Sequence, residues 1–379
     1  MKVKTFFYNR KNGWADLLPA DWDSPQTLVM TFGATSFFDA PEPIHELTGQ
    51  FPQSKIIGCS TAGEILGRTV SDESLIGAVV RFDETDLQIA SAPINCETES
   101  FGAGEKIAGE LNRRDLRGVI VLSNGLNVNG SQLVAGINSV FSSSVIVTGG
   151  LAADGDRFKR TWILRDNALE RDFVSAVGFY GEKVRIGHGS KGGWDIFGPE
   201  RKVTKAASNH LFELDGKPAL QLYKNYLGER AAELPASALL FPLALRSDKT
   251  DEKQIVRTIL SVNEEEQSMT FAGDVPEGSL VQLMRANFDR LIDGASEAAL
   301  MTRQDPASAE NILSLAISCV GRRLILGERA EEELEAVMDC LPESAKQIGF
   351  YSYGEISPYA AGHCDLHNQT MTLTTISED

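Results

Sequence analysis

Thr27-Leu28-Val29-Met30-Thr31-Phe32-Gly33, a helix-compatible stretch through Leu47, and then Lys55-Ile56-Ile57-Gly58 decide the reading of the fold. The first apolar run reads as a buried strand and the second as another strand, so the segment is a strand-helix-strand unit. The unit recurs. Gly118-Val119-Ile120-Val121-Leu122 opens a second copy, Ser131 to Phe141 carries apolar residues at helical spacing, and Val145-Ile146-Val147 leads into Thr148-Gly149-Gly150. The separation of Val29 from Gly58 equals that of Ile120 from Gly149. A third copy runs from Ile312-Leu313-Ser314-Leu315-Ala316-Ile317, through an acidic helix containing Leu334 and Val337, to Gln347-Ile348-Gly349.

Such units favour parallel strands with right-handed crossovers, which puts the loops after the second strands at carboxyl edges, where α/β proteins hold ligands. Those loops read Gly58-Cys59-Ser60-Thr61-Ala62-Gly63-Glu64-Ile65, Gly149-Gly150-Leu151-Ala152-Ala153-Asp154-Gly155 and Gly349-Phe350-Tyr351-Ser352-Tyr353-Gly354-Glu355-Ile356. The first and third share Gly, Gly, Glu and Ile, with Thr61 opposite Ser352. Leu75 to Phe82, Leu87 to Ala92, Thr161 to Leu164 and Phe173 to Tyr180 alternate as antiparallel strands do. The expected class is α/β, with mixed sheets built from repeated strand-helix-strand units. Asp215-Gly216 is a turn signal followed by a helical pattern in Pro218 to Leu227, so the expected division is 1–215 and 216–379.

With 53 acidic against 36 basic residues the net charge is -17, and no Lys or Arg run stands out. Nucleic acid and anionic membrane surfaces both need clustered cations, so neither is an expected partner. The N-terminus alternates like a strand, and the longest apolar stretch, Ala236 to Leu245, is broken by Pro242 and falls short of the ~20 residues that span a bilayer. A cytoplasmic location follows as an expectation. The five cysteines are scattered without a C-x-x-C spacing, the pattern of reduced thiols.

Five motifs in order resemble the FIST family: Gly58-Cys59-Ser60-Thr61-Ala62-Gly63-Glu64, Thr148-Gly149-Gly150-Leu151-Ala152-Ala153-Asp154, Glu213-Leu214-Asp215-Gly216-Lys217-Pro218-Ala219-Leu220, the Gly349 to Ile356 loop, and His367-Asn368-Gln369-Thr370. The resemblance implies a FIST N and a FIST C region, a sensory and non-enzymatic role beside signalling proteins, and a small-molecule ligand. It places the ligand pocket at Gly58, Ser60, Thr61, Gly63, Glu64, Gly149, Gly150, Asp154, Ser352, Tyr353, Gly354, Glu355, His367 and Asn368. Arg185-Ile186-Gly187-His188-Gly189-Ser190-Lys191-Gly192-Gly193-Trp194-Asp195-Ile196-Phe197-Gly198-Pro199 resembles more closely the family's haem-binding, nitric-oxide-sensing (NosP-type) branch. That second resemblance implies a b-type haem, nitric oxide as the gas ligand and a partner histidine kinase or other two-component protein. No kinase, cyclase or DNA-binding motif lies in the sequence, so the output is expected to pass through another chain; homo-oligomerisation stays open.

Haem iron needs a strong axial donor. His188 lies between two glycines after an apolar strand, so a flat macrocycle could approach the backbone, with Trp194 and Phe197 lining the pocket and Lys191, Arg201 and Lys202 near enough in sequence to meet the propionates; the plain alternative is a water-exposed loop histidine. Gly187-x-Gly189-x-x-Gly192 matches a dinucleotide fingerprint formally, but Gly193, Gly198 and Pro199 break the helix that it requires. His363-Cys364-Asp365-Leu366-His367 gathers zinc-type donors without a fourth ligand. Glu64 and Glu355 read as acceptors of backbone N–H bonds before they read as a catalytic pair. Ser60 is no hydrolase nucleophile elbow, since Ala62 stands where that motif needs Gly. Three functions compete on this sequence: a haem-based gas sensor, a metabolite sensor for an amino acid or similar molecule, and an enzyme.

Overall fold

The computed structural model describes residues 1–249, 253–302, 311–359 and 362–379. It is a mixed α/β molecule whose three repeats each build a sheet. The first unit runs β1 (Lys2–Asn9), β2 (Thr27–Gly33), α1 (Glu42–Gln50), β3 (Lys55–Ser60), β4 (Glu64–Leu66), β5 (Thr69–Ser71) and β6 (Ser74–Arg81). The second runs β7 (Asp86–Pro93), α2 (Ser100–Leu111), β8 (Leu116–Ser123), α3 (Gly130–Asn138), β9 (Ile146–Leu151), β10 (Ile163–Arg165), β11 (Ala168–Glu170) and β12 (Phe173–Tyr180). The third opens with β13 (Val184–Lys191) and is interrupted by an inserted β-rich module that holds α4 (Ala219–Leu227). It resumes with α5 (Phe288–Met301), β14 (Ile312–Cys319), α6 (Val320–Leu326), α7 (Ala330–Cys340), β15 (Ala345–Ser352), β16 (Glu355–Pro358), β17 (Cys364–His367) and β18 (Met371–Glu378).

In each unit the strand-helix-strand pair is parallel: β2 with β3, β8 with β9, β14 with β15. The last strand of the unit returns antiparallel to the first of the pair, as β6 does on β2, β12 on β8 and β18 on β14. The short hairpins leave home. β4–β5 joins β15 of the third unit, β10–β11 joins β3 of the first, and β16–β17 joins β9 of the second. Each sheet thus finishes its edge with a hairpin from another unit, and the exchange closes a ring of three.

The strands read as nearly continuous apolar runs because both faces are covered. Leu28, Met30 and Phe32, Ile120 and Leu122, and Leu313, Leu315 and Ile317 turn inward into one shared core. Phe32 and Phe350 meet there with ring centroids 4.7 Å apart. The alternate residues face outward: Val29 packs with Leu47 of α1, and Val119 and Val121 pack with Ile107 of α2 and Leu133 and Ile137 of α3. Ala316 and Leu373 share an outer cluster with Ala298 of α5 and Leu334 of α7. The inserted module has its own core, including Val203, Leu211, Leu220, Tyr223, Met269, Phe271 and Leu283. The Asp215-Gly216 turn, both residues at positive φ, lies inside this module, and three of the sheets draw strands from both sides of it, the module's own sheet included. No helix among the described residues is long and apolar enough to cross a membrane.

Candidate functional site

The recurring glycines have a packing cause. A Cβ on Gly58 would lie 2.4 Å from Thr31 O, on Gly149 1.9 Å from Val121 O and on Gly349 1.8 Å from Ala316 O. Each contact is with the glycine's own registered partner on the parallel strand. The glycines therefore admit close backbone approach within the sheet. Gly58, Gly149, Gly150 and Ser60, expected in ligand loops, lie inside strands, and Gly150 packs under Ile317. Ser60 accepts a 3.0 Å bond from the Trp162 amide, fixing the incoming hairpin of the second unit.

The two glutamates occupy matched polar sets. Thr61 donates to Glu64 Oε1, and Ser74 donates to Glu64 Oε2 from its amide at 3.1 Å and its hydroxyl at 2.8 Å. In the third unit Ser352 donates to Glu355 Oε1 at 2.7 Å, and Thr370 donates to Oε2 from its amide at 3.2 Å and its hydroxyl at 3.0 Å. Both side chains are buried, and desolvation pushes Glu64 up to about 7 and Glu355 up to about 8 against the opposing pull of these donors. In the second unit the strand registers put Ala152, Ile163 and Phe173 at the three corresponding positions. Hydroxyl, carboxylate and hydroxyl give way together to three apolar side chains. This joint replacement marks the set as a buried joint of the hairpin exchange, whose polar atoms must all be paired or all be absent.

Other expected pocket residues are structural too. Gly63, at φ +133, lies beneath the Arg323 guanidinium, which also pairs with Asp72 at 2.7 Å. His367 is buried with Nε2 2.9 Å from Ser357 O, and burial pushes the ring down to about 4. Asn368 donates to His367 O, while its Oδ1 is buried without a partner. Cys364 donates to Asn138 Oδ1, so the His363–His367 stretch spreads its donors over different partners.

Tyr353 and Asp154 do come together, from the third and second units. Tyr353 donates to Asp154 Oδ1, and Asp154 Oδ2 accepts the amides of Lys159 and Arg160, both at 2.9 Å. Phe158 lies flat on Tyr353, with centroids 4.5 Å and planes 10° apart. Beside this stack is a cavity of about 200 Å³. Gly125, Leu126, Asn127, Val128 and Asn129 line it from the β8–α3 loop, Leu151, Phe158 and Tyr353 from the two other loops, Glu97 from the segment before α2, and Asn209, Leu260, Phe271, Ala272 and Gly273 from the inserted module. Gly354 packs just behind, against Leu151 and Leu366. The module is moored here: Asp274 accepts Nδ2 of Asn129 and Nε2 of Gln132, both at 2.8 Å, at the start of α3, and Arg257 Nη1 donates to Leu366 O at 2.9 Å. Of the expected pocket residues Tyr353 alone lines this cavity. The sequence did carry a signal for one wall of it: Asn124-Gly125-Leu126-Asn127-Val128-Asn129-Gly130 is an Asn/Gly-rich loop between a parallel strand and a helix cap.

The His188 segment differs from its expected geometry. Gly187 and Gly189 do not leave a face open: their Cβ positions fall 2.3 Å from Thr302 O and 2.1 Å from Ala298 O, so α5 and its C-terminal cap fill that side of β13. A flat macrocycle cannot approach there. His188 belongs to the opposite face by strand alternation, is half-buried, and its Nδ1 has no partner; burial holds its pKa below the usual value. Trp194 packs among Ala244, Met284 and Leu291 and donates to Gln369 O, whereas Phe197 packs on the module's core beside Phe241. Lys191 sits 3.9 Å from Glu297. The aromatic pair is thus split between two clusters and does not fit a single haem pocket around His188.

Comparison with known proteins gives the FIST N domain over residues 27–217 and the FIST C domain over 219–358. An uncharacterized protein of Methanocaldococcus jannaschii is 25% identical over 349 residues, covering 80% of this chain; the chain spans 64% of that relative's length. The crystal structure of a cyanuric acid hydrolase from A. caulinodans aligns over 100% of this chain and 98% of its own at 9% identity, with a TM-score of 0.38, too low to show a shared fold. With both domains matched across most of its length, the chain belongs to the FIST family, whose domains are generally sensor domains in signalling proteins.

Proposed function

We propose that this protein senses a small molecule held in the cavity between the β8–α3 loop, Tyr353 and the inserted module, and that it does so without chemical turnover. One observation carries the reading: loops from two repeats and the module converge on that cavity at carboxyl strand ends. A ligand there touches the ring and the module at once, so occupancy can bias how the module is moored, which is what a sensor needs. The output partner is a histidine kinase or other two-component protein. Glu64 and Glu355, each fully engaged by its own unit, serve architecture.

A metabolite library screened by thermal shift tests this. A ligand at one hundred times its dissociation constant adds ~2.7 kcal/mol of stability. That gain is expected to vanish in Asn209→Leu and Asn127→Leu, and turnover of a bound compound would overturn the non-enzymatic reading.

The unpartnered Nδ1 of His188 favours a second reading, a b-type haem that reports nitric oxide. Haem would supply the gas-binding iron, and of His188, Trp194 and Phe197 only His188 would hold it, since the two aromatic residues pack in other clusters. Protein expressed with haem precursor then shows a Soret band that His188→Ala removes; a colourless wild-type protein sinks this alternative.

A further inference from the structure

Resting on the reading of the cavity beside Tyr353 as the ligand site, we propose that its ligand is a small planar molecule, uncharged or cationic, whose flat face replaces Phe158 on the Tyr353 ring. The charge argument comes from the lining. Its polar side chains are Glu97, Asn127, Asn129, Asn209 and Tyr353, so Glu97 is the one charged group among the described lining residues. Arg257, the cation behind the Gly273 wall, is committed to the carbonyls of Asp274, Val256 and Leu366. A carboxylate or phosphate entering here would lose water with no cation among the described lining residues to meet it, whereas amides pair with neutral donors and acceptors.

The Tyr353 ring argues for a flat and electron-poor partner. Its hydroxyl donates to the buried Asp154 carboxylate, which fixes the ring and adds negative charge behind it, and a ring face attracts cations and other planar groups. Phe158 now occupies that face, yet it is 51% exposed and sits at φ +50, an uncommon backbone region for a bulky residue. It covers Tyr353 while leaving half of its own surface exposed. Leu260, 46% exposed, flanks the same cavity from the module, so the entrance has an apolar rim on both sides. Phe158 therefore acts as a placeholder that a better-matched ring displaces.

Three probes of nearly equal size and different charge test this on the full chain: benzylamine, benzamide and benzoate, followed by calorimetric titration and ligand-observed NMR. Benzylamine and benzamide are expected to bind saturably, and benzoate about tenfold more weakly or worse, the penalty of an unpaired carboxylate. Phe158→Ala removes the competitor and is expected to bind both favoured probes more tightly, whereas Tyr353→Leu loses them. Benzoate binding as well as benzamide, with Tyr353→Leu still abolishing it, overturns the charge assignment and leaves the site standing. Weaker binding in Phe158→Ala overturns the placeholder role. Absence of all three probes from both wild type and Phe158→Ala defeats this proposal, while the cavity as a ligand site stands or falls separately on the thermal-shift screen.

Discussion

At the scale of single residues the buried glutamates give a pH signature. Glu355 has its folded pKa raised to about 8 from 4.5, chiefly by burial, so the folded chain keeps a proton that the unfolded chain releases. That contribution is complete below the unfolded value and is lost as pH rises through about 8. Glu355→Gln, which stays neutral, is expected to gain melting temperature relative to wild type steadily from pH 5 to 8 and to level off above; a constant difference across that range would contradict the assignment. Glu64→Ala strands the Thr61 and Ser74 donors and should cost ~1–3 kcal/mol in a denaturant titration. Replacing Thr61, Glu64 and Ser74 together by the second unit's Ala, Ile and Phe should cost less than the sum of the single changes, because no orphaned donor remains.

At the scale of elements the repeat was legible and its exchange was not. The apolar runs at Thr27–Gly33, Leu116–Ser123 and Ile312–Cys319, and the glycine after each helix, gave three strand-helix-strand units, because strands buried on both faces write themselves as continuous hydrophobic sequence. The alternating segments after them became β6, β7, β10 and β12 as expected. What those glycines do depends on a registered neighbour that sequence spacing does not reveal. Gly349→Ala would set a methyl group against Ala316 O and is expected to destabilise severely, whereas Gly49→Ala in α1, with open space around it, should be neutral or gain ~0.5–1 kcal/mol. Comparable melting temperatures for the two variants would refute the close-approach explanation.

At the scale of the whole molecule, the hairpin exchange predicts cooperative dependence of the units on each other. A fragment of residues 1–215 lacks β16–β17, which complete the edge of β9, and β18, which pairs with β13 along eight registered positions. It is expected to show no cooperative thermal transition and to associate through its unpaired edges; a sharp, monomeric melt from this fragment would refute the shared-sheet account. Asp274→Ala releases Asn129 and Gln132 and should raise amide exchange in the 201–214 and 268–285 strands before it affects the ring.

The sequence alone determined the α/β class, the threefold repetition and the family, since these are carried by local apolar periodicity and by short motifs in order. Tertiary structure decided the rest. Which edge each hairpin completes, why α5 fills the face of His188's glycines, and how Asn209 and Gly273 come to face Tyr353 all depend on contacts between residues far apart in the chain. No local pattern encodes such a contact: a short strand such as Glu64–Leu66 has the same period whichever sheet it joins, and only the closing of all three sheets around one core selects its partner.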